Sequence, residues 1–237
     1  MFSTTVGHHG FRDIHKYSIK HLDKTIGLNN FANKTAAIKV HNGDEDVFYE
    51  MAKDYAGFNI LKEVGRTKLK YNPHESVNDY TPYIVGNLCV SVANVYSLMP
   101  LYGKYNLWLE DDRLICSDEI EKYFSKAIET LETYPHVYSV HLNGPTFAKD
   151  TKDLFLPTKY CFNCHISRTE NVYKVASCFK DNIKELINMH PEQAYELIVN
   201  KLFPDSFSVE FNAKYVNSIH LGQSDFLQLK EKHKLTI

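Results

Sequence analysis

The sequence lacks any apolar run of the roughly 18 residues that a membrane-spanning helix needs, so no transmembrane helix is expected. Its first residues, Met1-Phe2-Ser3-Thr4, lack the basic stretch and apolar stretch of a secretory leader, and a cytoplasmic location is expected. Neither sign of charge is in excess: 27 Lys+Arg stand against 29 Asp+Glu, a formal net charge of −2. That balance excludes a generally polycationic nucleic-acid binder, though not a local basic groove, and gives no attraction to anionic membranes. There is no G-x-x-x-x-G-K-[ST], no G-x-G-x-x-G and no G-x-S-x-G, which argues against a P-loop, a Rossmann dinucleotide site and a hydrolase nucleophile elbow. Repeats and low-complexity tracts are absent as well.

Cysteine is scarce and odd in number: Cys89, Cys116, Cys161, Cys164 and Cys178. Without a leader, five cysteines point to a reducing compartment and to free or buried thiols rather than a disulfide framework. Cys161-Phe162-Asn163-Cys164-His165 has the letters of a c-type haem attachment, but that chemistry requires export. No second ligand pair follows at zinc spacing. The expectation is a buried strand with two small apolar thiols.

What is present is the composition of a globular domain, 43% hydrophobic and 24% charged. One domain over residues 1–237 is expected. Short β-like runs alternate with helix-like ones, as in α/β layer folds. Strands are expected at 2–6, 36–40, 59–64, 105–109, 137–142 and 158–168, with an extended stretch at 208–219. Apolar spacing predicts helices at 13–28, 47–56, 83–98, 117–133, 170–188 and 191–202, the fourth capped by Ser117-Asp118-Glu119. Residues 65–82, with Arg66, Lys68 and Lys70, are expected to be a loop. Tyr105-Asn106-Leu107-Trp108-Leu109 is a continuous apolar run, as expected of a central strand.

That central strand runs straight into Glu110-Asp111-Asp112. Three adjacent carboxylates repel one another, and a divalent cation relieves the repulsion. Alternate residues of an extended chain leave on one face, so Glu110 and Asp112 can address one ion. Hard oxygen ligands suit Mg²⁺ or Mn²⁺. The simpler reading is a solvated acidic turn feeding the next helix.

Three strand ends carry polar turns: Gly7-His8-His9, Asn42-Gly43-Asp44 and Glu110-Asp111-Asp112. In open α/β sheets ligands bind at the carboxyl ends of the strands. The arrangement resembles the nucleotide-sugar-dependent glycosyltransferases of the GT-A fold. The match runs through Thr4-Thr5-Val6, Asn42-Gly43-Asp44, Val92-Ala93-Asn94 and Trp108-Leu109-Glu110-Asp111-Asp112, where the family's "D-x-D" metal motif is written with Glu first. The resemblance implies an α/β, GT-A-like single domain with a mixed, mostly parallel central sheet flanked by helices. It implies Glu110, Asp112 and His220 as metal ligands, His220 standing in the late segment Ser218-Ile219-His220-Leu221-Gly222. A lone His between Ile and Leu also reads as a hydrogen-bonded core residue. The resemblance further implies Thr5, Asn42, Asp44, Asn94 and Asp111 on the donor side. Two readings stand for His8, His9 and Arg12: contact with a diphosphate, or a surface turn and helix start.

The family commonly has an acidic pair at a later helix start, one member of which deprotonates the acceptor. His190-Pro191-Glu192-Gln193 occupies that place, with Gln193 where Asp is more usual. Glu192 is the first choice of base and Glu196, one turn on, the second. The implied activity is transfer from a nucleoside diphosphate sugar, most often a UDP-sugar, using Mn²⁺ or Mg²⁺. The compact, Asn-, Lys- and Tyr-rich chain resembles phage-type proteins, some of which add sugars to hydroxymethylated bases of DNA; a glycan is the other acceptor. If the chain is viral, the cytoplasm is that of the host. A non-catalytic nucleotide- or sugar-binding module and a metal-dependent nucleotidyltransferase are the alternatives.

Overall fold

The computed structural model describes residues 2–6, 12–31, 33–41, 45–65, 103–110, 113–117, 119–142, 152–158, 164–186, 189 and 191–220. Strand β1 (Phe2–Val6) leads to helix α1 (Arg12–Ile26), β2 (Lys34–His41), α2 (Glu45–Ala52) and β3 (Asn59–Gly65). Next come β4 (Tyr105–Glu110), β5 (Arg113–Cys116), α3 (Ile120–Thr133), β6 (Val137–His141) and β7 (Phe155–Thr158). The chain continues through β8 (His165–Arg168), α4 (Thr169–Asp181), α5 (Ile183–Leu186), α6 (Pro191–Leu202), β9 (Phe207–Phe211) and β10 (Asn217–His220).

Among the described residues, eight strands make one sheet in the order β3-β2-β1-β4-β8-β6-β9-β7, and β10 pairs with β5 in a separate ribbon. Strands β1, β2, β3 and β4 are mutually parallel. Strand β8 is antiparallel to both β4 and β6, and β9 is parallel to β6. Strand β7 closes the far edge antiparallel to β9. The sheet is therefore mixed and mostly parallel, with the apolar run of β4 near its middle, as expected.

Helices pack on both faces because alternate strand residues present different chemistry to each. One face offers Leu107, Leu109, Val140, Ile166, Val209 and Phe211, which form a single core with residues of α1, α2 and α3. Helix α3 shows why: Ile120, Tyr123, Ala127 and Leu131 recur at helical spacing and are all buried. The other face offers Trp108 and Tyr138, covered by Val172, Val175, Ala176 and Phe179 of α4 and Ala194, Tyr195, Ile198 and Val199 of α6. Each large apolar side chain removed from water in this way contributes about 1.5–3 kcal/mol.

Several expected boundaries shift for local reasons. The extended stretch 208–219 is two strands, because buried Asn212 closes a turn between them. Its Oδ1 accepts from Lys214 N at 3.2 Å and its carbonyl accepts from Tyr215 N at 2.8 Å. The expected helix 170–188 is divided at Asn182, whose Nδ2 donates to the Cys178 carbonyl at 2.6 Å. The expected strand 158–168 is represented by the end of β7 and by β8. Helix α3 begins at Ile120 after Glu119, which makes no side-chain cap; Ser117 Oγ accepts from Glu119 N at 3.3 Å. Cys164 is buried just before β8 and is in no disulfide. Cys161, Asp118, the expected helix 83–98 and the loop 66–82 lie outside the described residues. No helix among the described residues is long and apolar enough to cross a membrane.

Candidate functional site

Six strands point the same way, so their carboxyl ends line one edge: Val6, His41, Gly65, Glu110, His141 and Phe211. Strand β8 runs the other way and begins at this edge with His165. In the β1–β4 pairing Thr5 stands beside Glu110. The chain leaves β4 at Glu110 and enters β5 at Arg113, whose antiparallel partner is His220. Paired Cα atoms in such a ladder are about 4.5–5.5 Å apart. Glu110 and His220, distant in sequence, thus flank the same short step of chain. A carboxylate together with an imidazole is a donor pair that suits Mn²⁺ better than Mg²⁺. Among the described residues no three His, Cys, Asp or Glu side chains gather around one point.

The strand order places Glu110, at the carboxyl end of β4, in the middle of a mixed, mostly parallel sheet, with β1 on one side and β8 on the other.

No family model matches the sequence, and no curated protein does. Among solved structures, the chain is similar to S. aureus TarS residues 1–349, with a TM-score of 0.47 and 12% identity over 98% of this chain. It spans 63% of that TarS chain. It is similar to the Mn/GDP form of core-mannan synthase A from Aspergillus fumigatus, at a TM-score of 0.45 and 9% identity over 83% of this chain and 68% of that one. It is also similar to the CTP:phosphocholine cytidylyltransferase LicC of Streptococcus pneumoniae, at 0.48 and 11% identity over 98% of both chains. With TM-scores below 0.5, these likenesses assign no activity.

Arg12 is the first residue of α1, which follows β1 and therefore starts at the same edge of the sheet. Asn42, Asp44, Asn94, Asp111 and Asp112 lie outside the described residues; Asn42 directly follows the last residue of β2.

Glu192 and Glu196 belong to α6, and the direction of that helix follows from its far end. Phe203, just past α6, has its ring 5.6 Å from that of Tyr138, near the start of β6. Phe207 N donates to the His136 carbonyl at 3.0 Å at the same end. The amino end of α6 is therefore directed at the carboxyl-end edge of the sheet, with half-buried Glu192 in its first turn and half-buried Glu196 one turn deeper. Between them, Tyr195 shares a buried 2.9 Å hydrogen bond with the Tyr138 hydroxyl, which fixes the helix's rotation about its axis. Burial, then the neighbouring Tyr195, pushes the Tyr138 phenol well above its usual range.

At this edge lies a row of side chains that spacing did not announce. Trp108, His165, His141 and Glu210 are consecutive register partners across β4, β8, β6 and β9. His141 and His165 are both fully buried, with ring centroids 5.2 Å apart. His141 Nε2 is 2.9 Å from Ser139 Oγ, which is 2.7 Å from Ser208 Oγ. Burial, and then the neighbouring His165, holds the His141 imidazole well below its usual range, so it is neutral. In sequence, each His sits in an ordinary strand pattern; only their shared row reveals the pair.

Two of the cavities among the described residues open elsewhere. One of about 260 Å³, lined by Phe31, Lys104, Tyr105 and Phe124, lies at the amino end of β4. Another of about 190 Å³, lined by His136, Phe203 and Ser206, lies at the amino ends of β6 and β9. Neither is at the strand ends that carry Glu110.

Proposed function

We propose that this chain is a metal-dependent glycosyltransferase, with residues 1–237 acting as one catalytic domain on a nucleoside diphosphate sugar, a UDP-sugar first. The observation that supports the reading is a pair of registers: Glu110 stands beside Thr5 at the end of β4, and His220 stands opposite Arg113, three residues further along the chain. An acidic triplet alone is a common surface turn. A strand from elsewhere in the chain that brings a histidine opposite the next residues supports reading the triplet and His220 as ligands.

In this reading Glu110, Asp112 and His220 hold Mn²⁺ or Mg²⁺. The metal, when bound, neutralises charge that develops on the departing diphosphate. Thr5, Asn42, Asp44, Asn94 and Asp111 contact the donor, and Arg12 meets its diphosphate. The acceptor hydroxyl attacks the anomeric carbon, the bond from that carbon to the diphosphate oxygen breaks, and the hydroxyl proton passes to the Glu192 carboxylate, with Glu196 as second choice. The acceptor is a hydroxyl of a modified DNA base or of a glycan, and the reaction is cytoplasmic.

The test is nucleotide release from a panel of nucleoside diphosphate sugars with and without Mn²⁺. Release of UDP in Mn²⁺ and its loss in excess EDTA or in Asp112→Ala is expected. Full activity in EDTA overturns the metal's role. Tight donor binding without turnover in the presence of candidate acceptors assigns a binding module. Pyrophosphate release from a nucleoside triphosphate and a sugar phosphate assigns nucleotidyl transfer.

A further inference from the structure

The ribbon formed by β5 and β10 stands apart from the main sheet, yet it carries Arg113 at one end and His220 opposite it. A two-stranded ribbon leaves one edge of each strand without a ladder partner, and an isolated one is marginally stable. Ile115 is fully buried in the middle of β5, so its carbonyl has no water to turn to. The donor comes from another element: His21 Nε2 on α1 lies 3.0 Å from the Ile115 oxygen. A carbonyl only accepts, so His21 donates from Nε2. Half-buried His21 is itself set by the ring of Tyr17, one turn back, at a centroid distance of 6.5 Å.

We propose that His21 is a positioning residue for the metal centre, holding the β5–β10 ribbon against α1 and so fixing where Glu110 and His220 meet. The inference rests on the metal-dependent reading above and adds a residue to it. The reason is geometric. Glu110 belongs to the main sheet, but His220 belongs to the ribbon, so their relative placement is only as firm as the ribbon's attachment. The Ile115 carbonyl lies two residues from Arg113, the register partner of His220. A one-residue adjustment of the ribbon would move His220 by about 3.3 Å, well beyond the tolerance of a metal–ligand bond. Supporting residues of this kind typically alter metal affinity by roughly 10–100-fold when lost.

Two variants one methylene apart test this. The amide nitrogen of Gln in His21→Gln reaches about as far as Nε2, whereas in His21→Asn it falls short; both keep a polar side chain in a half-buried place. Mn²⁺ affinity is read by the electron paramagnetic resonance of free Mn²⁺, with UDP present, and the unfolding midpoint of each protein is recorded. Affinity within about twofold of wild type in His21→Gln, with roughly tenfold or greater weakening in folded His21→Asn, is expected. Equal affinity in all three proteins, or equal loss in both variants, overturns the positioning role. Absence of Mn²⁺ binding by wild type overturns the metal-dependent reading itself, and the inference with it.

Discussion

The imidazole of His141 illustrates how a single buried group couples stability to pH. It is enclosed at the β6–β8–β9 layer, bonded to Ser139 and tilted against the ring of His165, with Glu210 as its register partner on β9. Burial and then His165 depress its folded pKa below the ordinary value of 6.5. In the unfolded chain it titrates near that ordinary value, so acid adds a proton to the unfolded state first. The stability contributed by neutral His141 is fully present above about pH 6.5 and is lost as pH falls from there towards the depressed folded value. The loss is about 1 kcal/mol by one pH unit below the unfolded value. Urea midpoints at pH 7.5 and 5.5 measure it: wild type should fall, and His141→Gln, which keeps an amide partner for Ser139, should fall less. Equal falls in the two proteins would remove His141 from the account.

At the scale of elements, Arg168 ties three of them together. From the end of β8, its Nη1 donates to the Val137 carbonyl at 2.8 Å, and its Nη2 donates to the Leu131 carbonyl and, at 3.2 Å, to the Tyr134 carbonyl. It thereby satisfies carbonyls at the end of α3, including one left without a helical donor, and pins the start of β6. Arg168→Met should cost about 2 kcal/mol, and Arg168→Lys should recover little, since one ammonium cannot span the carbonyls that the planar fork reaches. Denaturant midpoints of the two variants check this; full recovery in the Lys variant would mean that charge alone suffices. Such ties are also where sequence reading stops. The amphipathic spacing of α3 and the apolar run of β4 announce those elements, because burial on one face or both imposes a pattern. Strand β5 has four residues and owes its shape to β10, a hundred residues later, so no local pattern marks it. The strand end at Glu110 is legible in the sequence; the His21 bond and the His141–His165 row are not, because both are products of tertiary packing.

For the molecule as a whole, chain direction decides what can meet. Parallel strands bring their carboxyl ends to one edge, and a helix preceding a parallel strand must run against it. Helix α6 precedes β9, ends beside the amino end of β6, and so directs Glu192 at the edge that carries Glu110. Its 12 residues span about 18 Å, enough to separate Glu192 from the half-buried Phe203 end by most of the sheet's depth. The Tyr138–Tyr195 bond sets the helix's rotation and with it the direction of the first turn. Glu192→Gln preserves size and most hydrogen bonding but removes the proton acceptor. Sugar transfer should fall by roughly 10²–10⁴-fold while donor affinity stays unchanged, because the base acts on the acceptor hydroxyl and not on the nucleotide. Transfer rates and UDP affinity measured on the same preparations separate the two effects. Near wild-type transfer in Glu192→Gln, with loss in Glu196→Gln, would move the base one turn along α6. Retention of activity in both would mean that α6 supplies no base, and the proton would have to leave the acceptor by another route on the same sheet edge.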